Sequence, residues 1–236
     1  ENLNLVIKPG EVYGIIGING IGKTTLLHTL AGLREPKHGK IFFQNNDIAT
    51  LPRRTVAQNI GVLLQHDRQS FPSTVLETAL IGRHPFLRSW QWETQKDISL
   101  AHQALTQVDL CDMQTRMTNT LSGGENRRLN LATLLTQNPL LYLLDEPTNH
   151  LDLQHQISIL NMLSQKIKTN KQSAIFILHD LNLVQRYCDN VLLLFGAGET
   201  LFGPTQTVLN TESLTRLFNH PTIKIDSVGG PVFLPG

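Results

Sequence analysis

Short, almost wholly apolar runs recur along this chain at residues 12–16, 60–64, 140–144, 173–178 and 191–195, and segments of helical spacing separate them. A run that is apolar at nearly every position is buried on both faces, as in a parallel strand covered by helices above and below. Half-exposed antiparallel strands would alternate instead. The pattern therefore predicts an α/β fold with a mostly parallel core sheet. Residues 39–43 are a further strand candidate, and residues 23–32 read as a helix ended by Gly32. From about residue 66 to 137 strand signals fade and helical spacing takes over, as in Ile98, Ala101, Leu105 and Val108 behind the polar opening at residues 93–97. The chain thus divides into a first core part at residues 1–65, an inserted helical subdomain at 66–137 and a second core part at 138–236. Residues 211–218 read as a short helix and residues 223–234 as a hairpin around Gly229-Gly230.

Charge and composition narrow the partners. Twenty Lys plus Arg stand against 19 Asp plus Glu, a formal charge of +1, and the charges are scattered, so there is no basic excess to neutralise a nucleic acid. No apolar stretch reaches the roughly 18 residues needed to span a bilayer, and no basic flank followed by an apolar run opens the chain. The chain is expected neither to cross a membrane nor to be exported. Cys111 and Cys188 show no CxxC spacing, so they are expected to be small apolar filler.

Gly17-Ile18-Asn19-Gly20-Ile21-Gly22-Lys23-Thr24 fits the pattern GxxxxGK[ST] and lies between a strand candidate and a helix candidate. Glycines suit such a loop because backbone N–H groups must turn inward around an anion, and a Cβ would obstruct the approach. Gly17, Asn19, Gly20, Gly22, Lys23, Thr24 and Thr25 are the candidate phosphate-binding residues. Lys23 offers a charge to β- and γ-phosphates and Thr24 a hydroxyl to Mg²⁺. The apolar run at 140–144 ends in Asp145 and Glu146, where ligands of open α/β sheets bind. Asp145 can hold Mg²⁺, while Glu146 can orient and deprotonate an attacking water.

Leu121-Ser122-Gly123-Gly124-Glu125 precedes another helical run. Ser122 and Glu125 have the spacing of a capping box, and a serine with two unhindered glycine N–H groups at a helix start also suits an anion presented by another molecule. Both readings can hold together.

In this order, the phosphate loop, Leu121-Ser122-Gly123-Gly124-Glu125 and the Leu140-Leu141-Tyr142-Leu143-Leu144-Asp145-Glu146-Pro147 segment resemble an ATP-binding cassette (ABC) ATPase, over nearly the whole chain. The resemblance implies a P-loop NTPase fold, ATP and Mg²⁺ as cofactors, and head-to-tail pairing of two copies. In that pair Ser122, Gly123 and Gly124 of one copy would close over the ATP held by the other. It further implies that Gln65 senses Mg²⁺ and the attacking water, that His179 contacts the γ-phosphate, and that Asp152 links the two sites. Glu146, His179 and Gln65 are then the catalytic set, and Thr24, Gln65 and Asp145 the metal set. The remaining histidines are expected to be ordinary. Asn126 stands where the family often has glutamine. Related domains also carry a stretch before residues 1–8 with an aromatic that stacks on adenine; that stretch is expected to be missing, and Tyr13 to be core.

Three segments, Ile81-Gly82-Arg83-His84-Pro85-Phe86, residues 148–156 and residues 179–183, resemble the ATPase subunits of bacterial importers for iron-siderophores, haem and cobalamin. This implies integral-membrane permease subunits as partners, a substrate-binding protein acting indirectly, and a peripheral position on the cytoplasmic face of the inner membrane. Residues 66–92 would receive a permease helix, with Phe71, Phe86, Leu87, Trp90 and Trp92 either anchoring it or packing the helical lobe. The alternative is a soluble ABC ATPase acting on ribosomes or DNA, although the chain has room for neither a second cassette nor a long coiled-coil insertion.

Overall fold

The computed structural model describes residues 3–65, 72–227 and 230–236. Its strands are β1 (Val12–Gly17), β2 (Phe42–Phe43), β3 (Asn46–Asp47), β4 (Ile60–Leu63), β5 (Leu141–Asp145), β6 (Ser173–Ile177), β7 (Asn190–Gly196), β8 (Glu199–Pro204), β9 (Thr222–Ser227) and β10 (Gly230–Pro235). The α-helices are α1 (Lys23–Leu30), α2 (Arg53–Asn59), α3 (Val75–Leu80), α4 (Gln95–Gln107), α5 (Gly123–Gln137), α6 (Leu153–Asn170), α7 (Leu181–Tyr187), α8 (Thr205–Val208) and α9 (Thr211–Phe218).

The main sheet has six strands in the order β4-β5-β6-β1-β7-β8. All neighbours in it are parallel except β7 and β8. Side chains alternate across it, so Val12 and Ile16 of β1, Tyr142 and Leu144 of β5, and Ala174 and Phe176 of β6 enter one buried cluster with α4, α5 and α6. Tyr13, Ile15, Leu143, Ile175 and Ile177 enter another on the opposite face, against Leu27 of α1 and Val56 of α2. Both faces being covered, the strands had to be apolar throughout. Tyr13 is core, as expected; its hydroxyl donates to Glu11.

Among the described residues between β4 and β5, α3, α4 and α5 are joined by short 3₁₀ turns. Thr94 and Asp97 close a reciprocal cap on α4, and Ala101, Leu105 and Val108 are buried, while Ile98 is only partly so. The turn at Ile81–Phe86 crosses α5 at backbone contact: a Cβ on Gly82 would lie 2.2 Å from the Thr133 carbonyl oxygen. Arg83 ties the turn to both helices, with Nη1 3.3 Å from the Thr136 carbonyl oxygen of α5 and Nε 2.8 Å from Asp97 Oδ1 of α4.

The structure departs from the sequence pattern or adds to it at three points. The strand at 39–43 shrinks to Phe42–Phe43 paired with Asn46–Asp47, because Gln44 and Asn45 both take positive φ and turn the chain at once. The antiparallel strand β8 went unread: Ala197 and Gly198, both at positive φ, fold it back on β7, and its half-exposed sequence carries no continuous apolar run. Packing within the helical lobe is not the role of Trp90 and Trp92, which are 101% and 87% exposed, whereas Phe86 and Leu87 are half-buried. Phe71 and the segment 66–71 lie outside the described residues, as does Gly229. Residues 211–218 and the terminal hairpin form where expected. Among the described residues no helix is long and apolar enough to cross a membrane.

Candidate nucleotide site

Parallel strands with a common direction bring their C-terminal ends to one edge of the sheet, and the site forms there. Gly17 ends β1, Asp145 ends β5, His179 follows β6 and Gln65 follows β4. A cavity of about 470 Å³ at this edge is lined by Asn19, Gly20, Gly22, Lys23, Thr24, Thr25, Gln65, Asp145, Glu146 and His179. Residues from four separate parts of the sequence thus meet in one place.

Gly20 (φ +78°) and Gly22 (φ +107°) hold the loop in conformations that a side chain would strain. Gly22 is the N-cap of α1 and has no side chain to offer its amides, an arrangement compatible with an anion at that helix start. Lys23 is buried, and its Nζ donates to the carbonyls of Gly17 (2.7 Å) and Ile18 (3.1 Å). Burial lowers its pKa, and the carboxylates of Glu146 and Asp145 oppose that shift. Gly17 does not line the cavity. A Cβ there would sit 2.9 Å from Ile21 Cγ2 and 3.0 Å from the Leu194 carbonyl oxygen, so its place is taken by packing, and it serves Lys23 through its carbonyl.

Thr24 Oγ1 donates to Asp145 Oδ2 at 2.6 Å, which joins the two expected metal ligands across the cavity. With Gln65 they present hydroxyl, carboxylate and amide oxygens, a donor set that fits a hard cation such as Mg²⁺. Among the described residues no group of three or more His, Cys, Asp and Glu side chains could hold a metal alone. Mg²⁺ takes few protein ligands and relies on substrate phosphates. When bound it would supply charge neutralisation for the phosphates.

Glu146 is held from both oxygens. His179 Nε2 donates to Oε1 at 2.6 Å, and Asn149 Nδ2 donates to Oε2 at 2.9 Å. Its backbone lies at φ +49°. A carboxylate so fixed, facing the phosphate loop and still in reach of water, has the placement of a general base. Asn149 was not singled out from the sequence; its position three residues after the base was the available signal.

Ser122, Gly123, Gly124 and Asp152 do not line this cavity. They gather elsewhere: a Cβ on Gly124 would lie 3.2 Å from the His150 carbonyl oxygen, close to Leu151, so the start of α5 abuts the loop that carries Asp152. The capping box forms, with Ser122 Oγ accepting from Glu125 N at 3.2 Å and Glu125 Oε2 accepting from Ser122 N at 2.6 Å. Asp152 caps α6, and both its oxygens accept from His155 Nδ1 at 2.8–2.9 Å. Hydrogen bonds from the His155 backbone and ring hold the Asp152 carboxyl below its ordinary value. Arg127, absent from the sequence-derived set, is buried on α5, with donors on the carbonyls of Leu64, Asp145 and Glu146. An arginine at 127 in register with Leu131 and Leu134 was the sequence signal.

A parallel sheet, a glycine loop feeding a helix and paired carboxylates at the end of another strand on the same edge define a P-loop NTPase. The comparisons agree and go further. The ABC transporter family matches residues 1–149, and the chain belongs to it as an ATP-hydrolysing cassette. It is 34% identical over 244 positions, covering all of this chain and 90% of the relative, to a hemin import ATP-binding protein of Rhodopseudomonas palustris. It is 33% identical over 240 positions, covering all of this chain and 88% of the relative, to the ferric enterobactin transport ATP-binding protein of Escherichia coli. A transporter described as of the metal-chelate type, solved facing inward, superposes with a TM-score of 0.85 at 29% identity over 99% of this chain and 89% of that one. A cassette solved as a dimer with ADP and Pi superposes with a TM-score of 0.76 at 25% identity over 87% and 90%.

Proposed function

We propose that the chain is the ATPase subunit of an importer for an iron-siderophore, haem or cobalamin-type ligand, working as a head-to-tail pair under permease subunits at the cytoplasmic face of the membrane. The observation that carries this reading is the separation of the phosphate loop from the Ser122–Gly124 helix tip. The phosphate loop, Asp145, Glu146 and His179 share one cavity, whereas the Ser122–Gly124 helix tip, with its anion-binding chemistry, lies outside it. A tip that cannot serve its own chain's nucleotide can serve that of a second copy. The relatives named for hemin and ferric enterobactin support the ligand class.

In this reading Lys23 and the loop amides hold the β- and γ-phosphates, with Thr25 beside them. Thr24, Asp145 and Gln65 would hold Mg²⁺, which would neutralise phosphate charge. Glu146 takes the proton of the attacking water, and His179, bonded to the same carboxylate, keeps it aimed. ATP joins the copies because both touch its γ-phosphate; hydrolysis removes that shared contact and the pair opens. Asp152, beside the helix tip, links the two sites. The helices within 66–137 form the permease-facing lobe between core parts 1–65 and 138–236. There Trp90 and Trp92, exposed beside Leu87 and His84 around a groove of about 550 Å³, are the anchors for a permease helix. A substrate-binding protein takes part indirectly, and nucleic acid has no part.

The deciding experiment is Glu146→Gln. Binding of ATP should persist while turnover falls by at least about 10²-fold, the usual contribution of a general base. Gel filtration with ATP and Mg²⁺ should then show a stable pair. Turnover at the unaltered rate would remove Glu146 as the base.

A further inference from the structure

Arg127 is 5% exposed and sits on the core-facing side of α5, in the row continued by the buried Leu131 and Leu134. A guanidinium so placed is unfavourable unless its donors find acceptors. Nη1 donates to the Leu64 carbonyl at 2.6 Å, and Nη2 donates to the carbonyls of Asp145 and of Glu146, the latter at 2.6 Å. These peptide groups belong to the site: Leu64 directly precedes Gln65, and the other two carry the metal ligand and the base. Glu146 also needs restraint. At φ +49° a non-glycine residue keeps a sparsely populated conformation only where its surroundings enforce it. Its N–H is held by the Ile177 carbonyl at 3.1 Å, and its own carbonyl by Arg127.

We propose that Arg127 is a positioning residue that ties the Ser122–Gly124 helix tip to the base Glu146 of the same chain. The inference rests on the pairing proposed above, in which that tip meets the nucleotide of the second copy. Arg127 lies within the first turns of the same helix, so a shift of the tip moves the guanidinium with it. The planar fork spans separate carbonyls at once, which the single point charge of a lysine does not reproduce. Occupation of one site is thereby transmitted to the base of the other, a coupling through one rigid element with contacts at both ends.

The test uses the full-length chain in complex with its permease, carrying Arg127→Gln, Arg127→Lys or, as reference, Glu146→Gln. Turnover, KM for ATP, the Hill coefficient and Tm are read from the complex, and affinity for a fluorescent ATP analogue from the chain alone. Arg127→Gln should lower kcat about tenfold or more, leave KM and analogue affinity within about twofold, and bring the Hill coefficient toward one. Arg127→Lys should fall between Arg127→Gln and the unaltered complex. Unchanged kcat in Arg127→Gln overturns the proposal. So does a parallel loss of Tm and ATP affinity with the Hill coefficient retained, which is the mark of a merely structural arginine. A Hill coefficient of one in the unaltered complex overturns it at the outset. If Arg127→Gln does not fold, Arg127→Lys decides: lowered kcat and Hill coefficient at unchanged Tm support the proposal, and unaltered values refute it. Full hydrolysis by Glu146→Gln would instead sink the proposed function, whereas an inactive Glu146→Gln beside fully active Arg127 variants sinks this inference alone.

Discussion

Replacing Ser122 by asparagine and by aspartate separates the two jobs assigned to one side chain. Ser122 Oγ accepts from Glu125 N at 3.2 Å and caps α5. Asn and Asp cap helices about as well as Ser, so both variants should keep the unfolding free energy within about 0.5 kcal/mol of the unaltered chain, whereas Ser122→Ala should cost about 1 kcal/mol. The two replacements have nearly the same shape and differ in charge. If the tip meets the γ-phosphate of a second copy, the aspartate places like charges about 4 Å apart, a repulsion of about 4 kcal/mol at an effective dielectric constant near 20. That is roughly a thousandfold in an equilibrium constant per contact, and a symmetric pair contains the contact twice. The assay is ATP-dependent pairing in the Glu146→Gln background, followed by light scattering, with urea unfolding of each variant alongside. Ser122→Asp should fail to pair while Ser122→Asn pairs. Equal pairing by the two would refute the cross-chain role and leave Ser122 as a cap alone.

Two further outcomes follow from the lobe that orients this helix. Gly82→Ala places a Cβ 2.2 Å from the Thr133 carbonyl oxygen and 2.8 Å from Gln137 N, both main chain of α5 and unable to swing aside, so it should destabilise by at least about 1–3 kcal/mol. An unmoved urea midpoint would contradict the close crossing. For Asp97, burial alone would raise the pKa, but hydrogen bonds from Thr94 and Arg83 and the Arg83 charge outweigh it and hold the carboxyl at about 2. Its folded pKa is depressed, so its contribution to stability is present above the ordinary carboxylate range and is lost as pH falls toward 2. The unaltered chain should therefore lose more stability than Asp97→Asn between about pH 4 and pH 2 in urea titrations; parallel pH profiles would refute the assignment.

Local rules made much of this protein legible. Strands covered on both faces must be apolar throughout, so β1, β4, β5, β6 and β7 announced themselves, and the parallel α/β class with them. A glycine loop that wraps an anion needs its residues consecutive, so the chemistry of residues 17–25 was also written in one stretch, as was the Ser122 cap. The family resemblance supplied Gln65 and His179, and the cavity then brought both to the same strand-end edge.

What tertiary structure alone decided are the contacts between segments far apart in sequence. The bond of His179 to Glu146, the bond of Thr24 to Asp145, and the hold of Arg127 on the Leu64, Asp145 and Glu146 carbonyls each depend on the order of the strands and on how the helices pack over them. The strand order is β4-β5-β6-β1, and no single segment encodes its neighbour. The same holds for exposure: the sequence leaves Trp90 and Trp92 open between core packing and a partner-facing role, and the fold leaves both in water. Periodicity records which face of an element is buried, because burial acts on consecutive residues; it is silent on what the element is buried against, because that is settled by the packing of the whole chain.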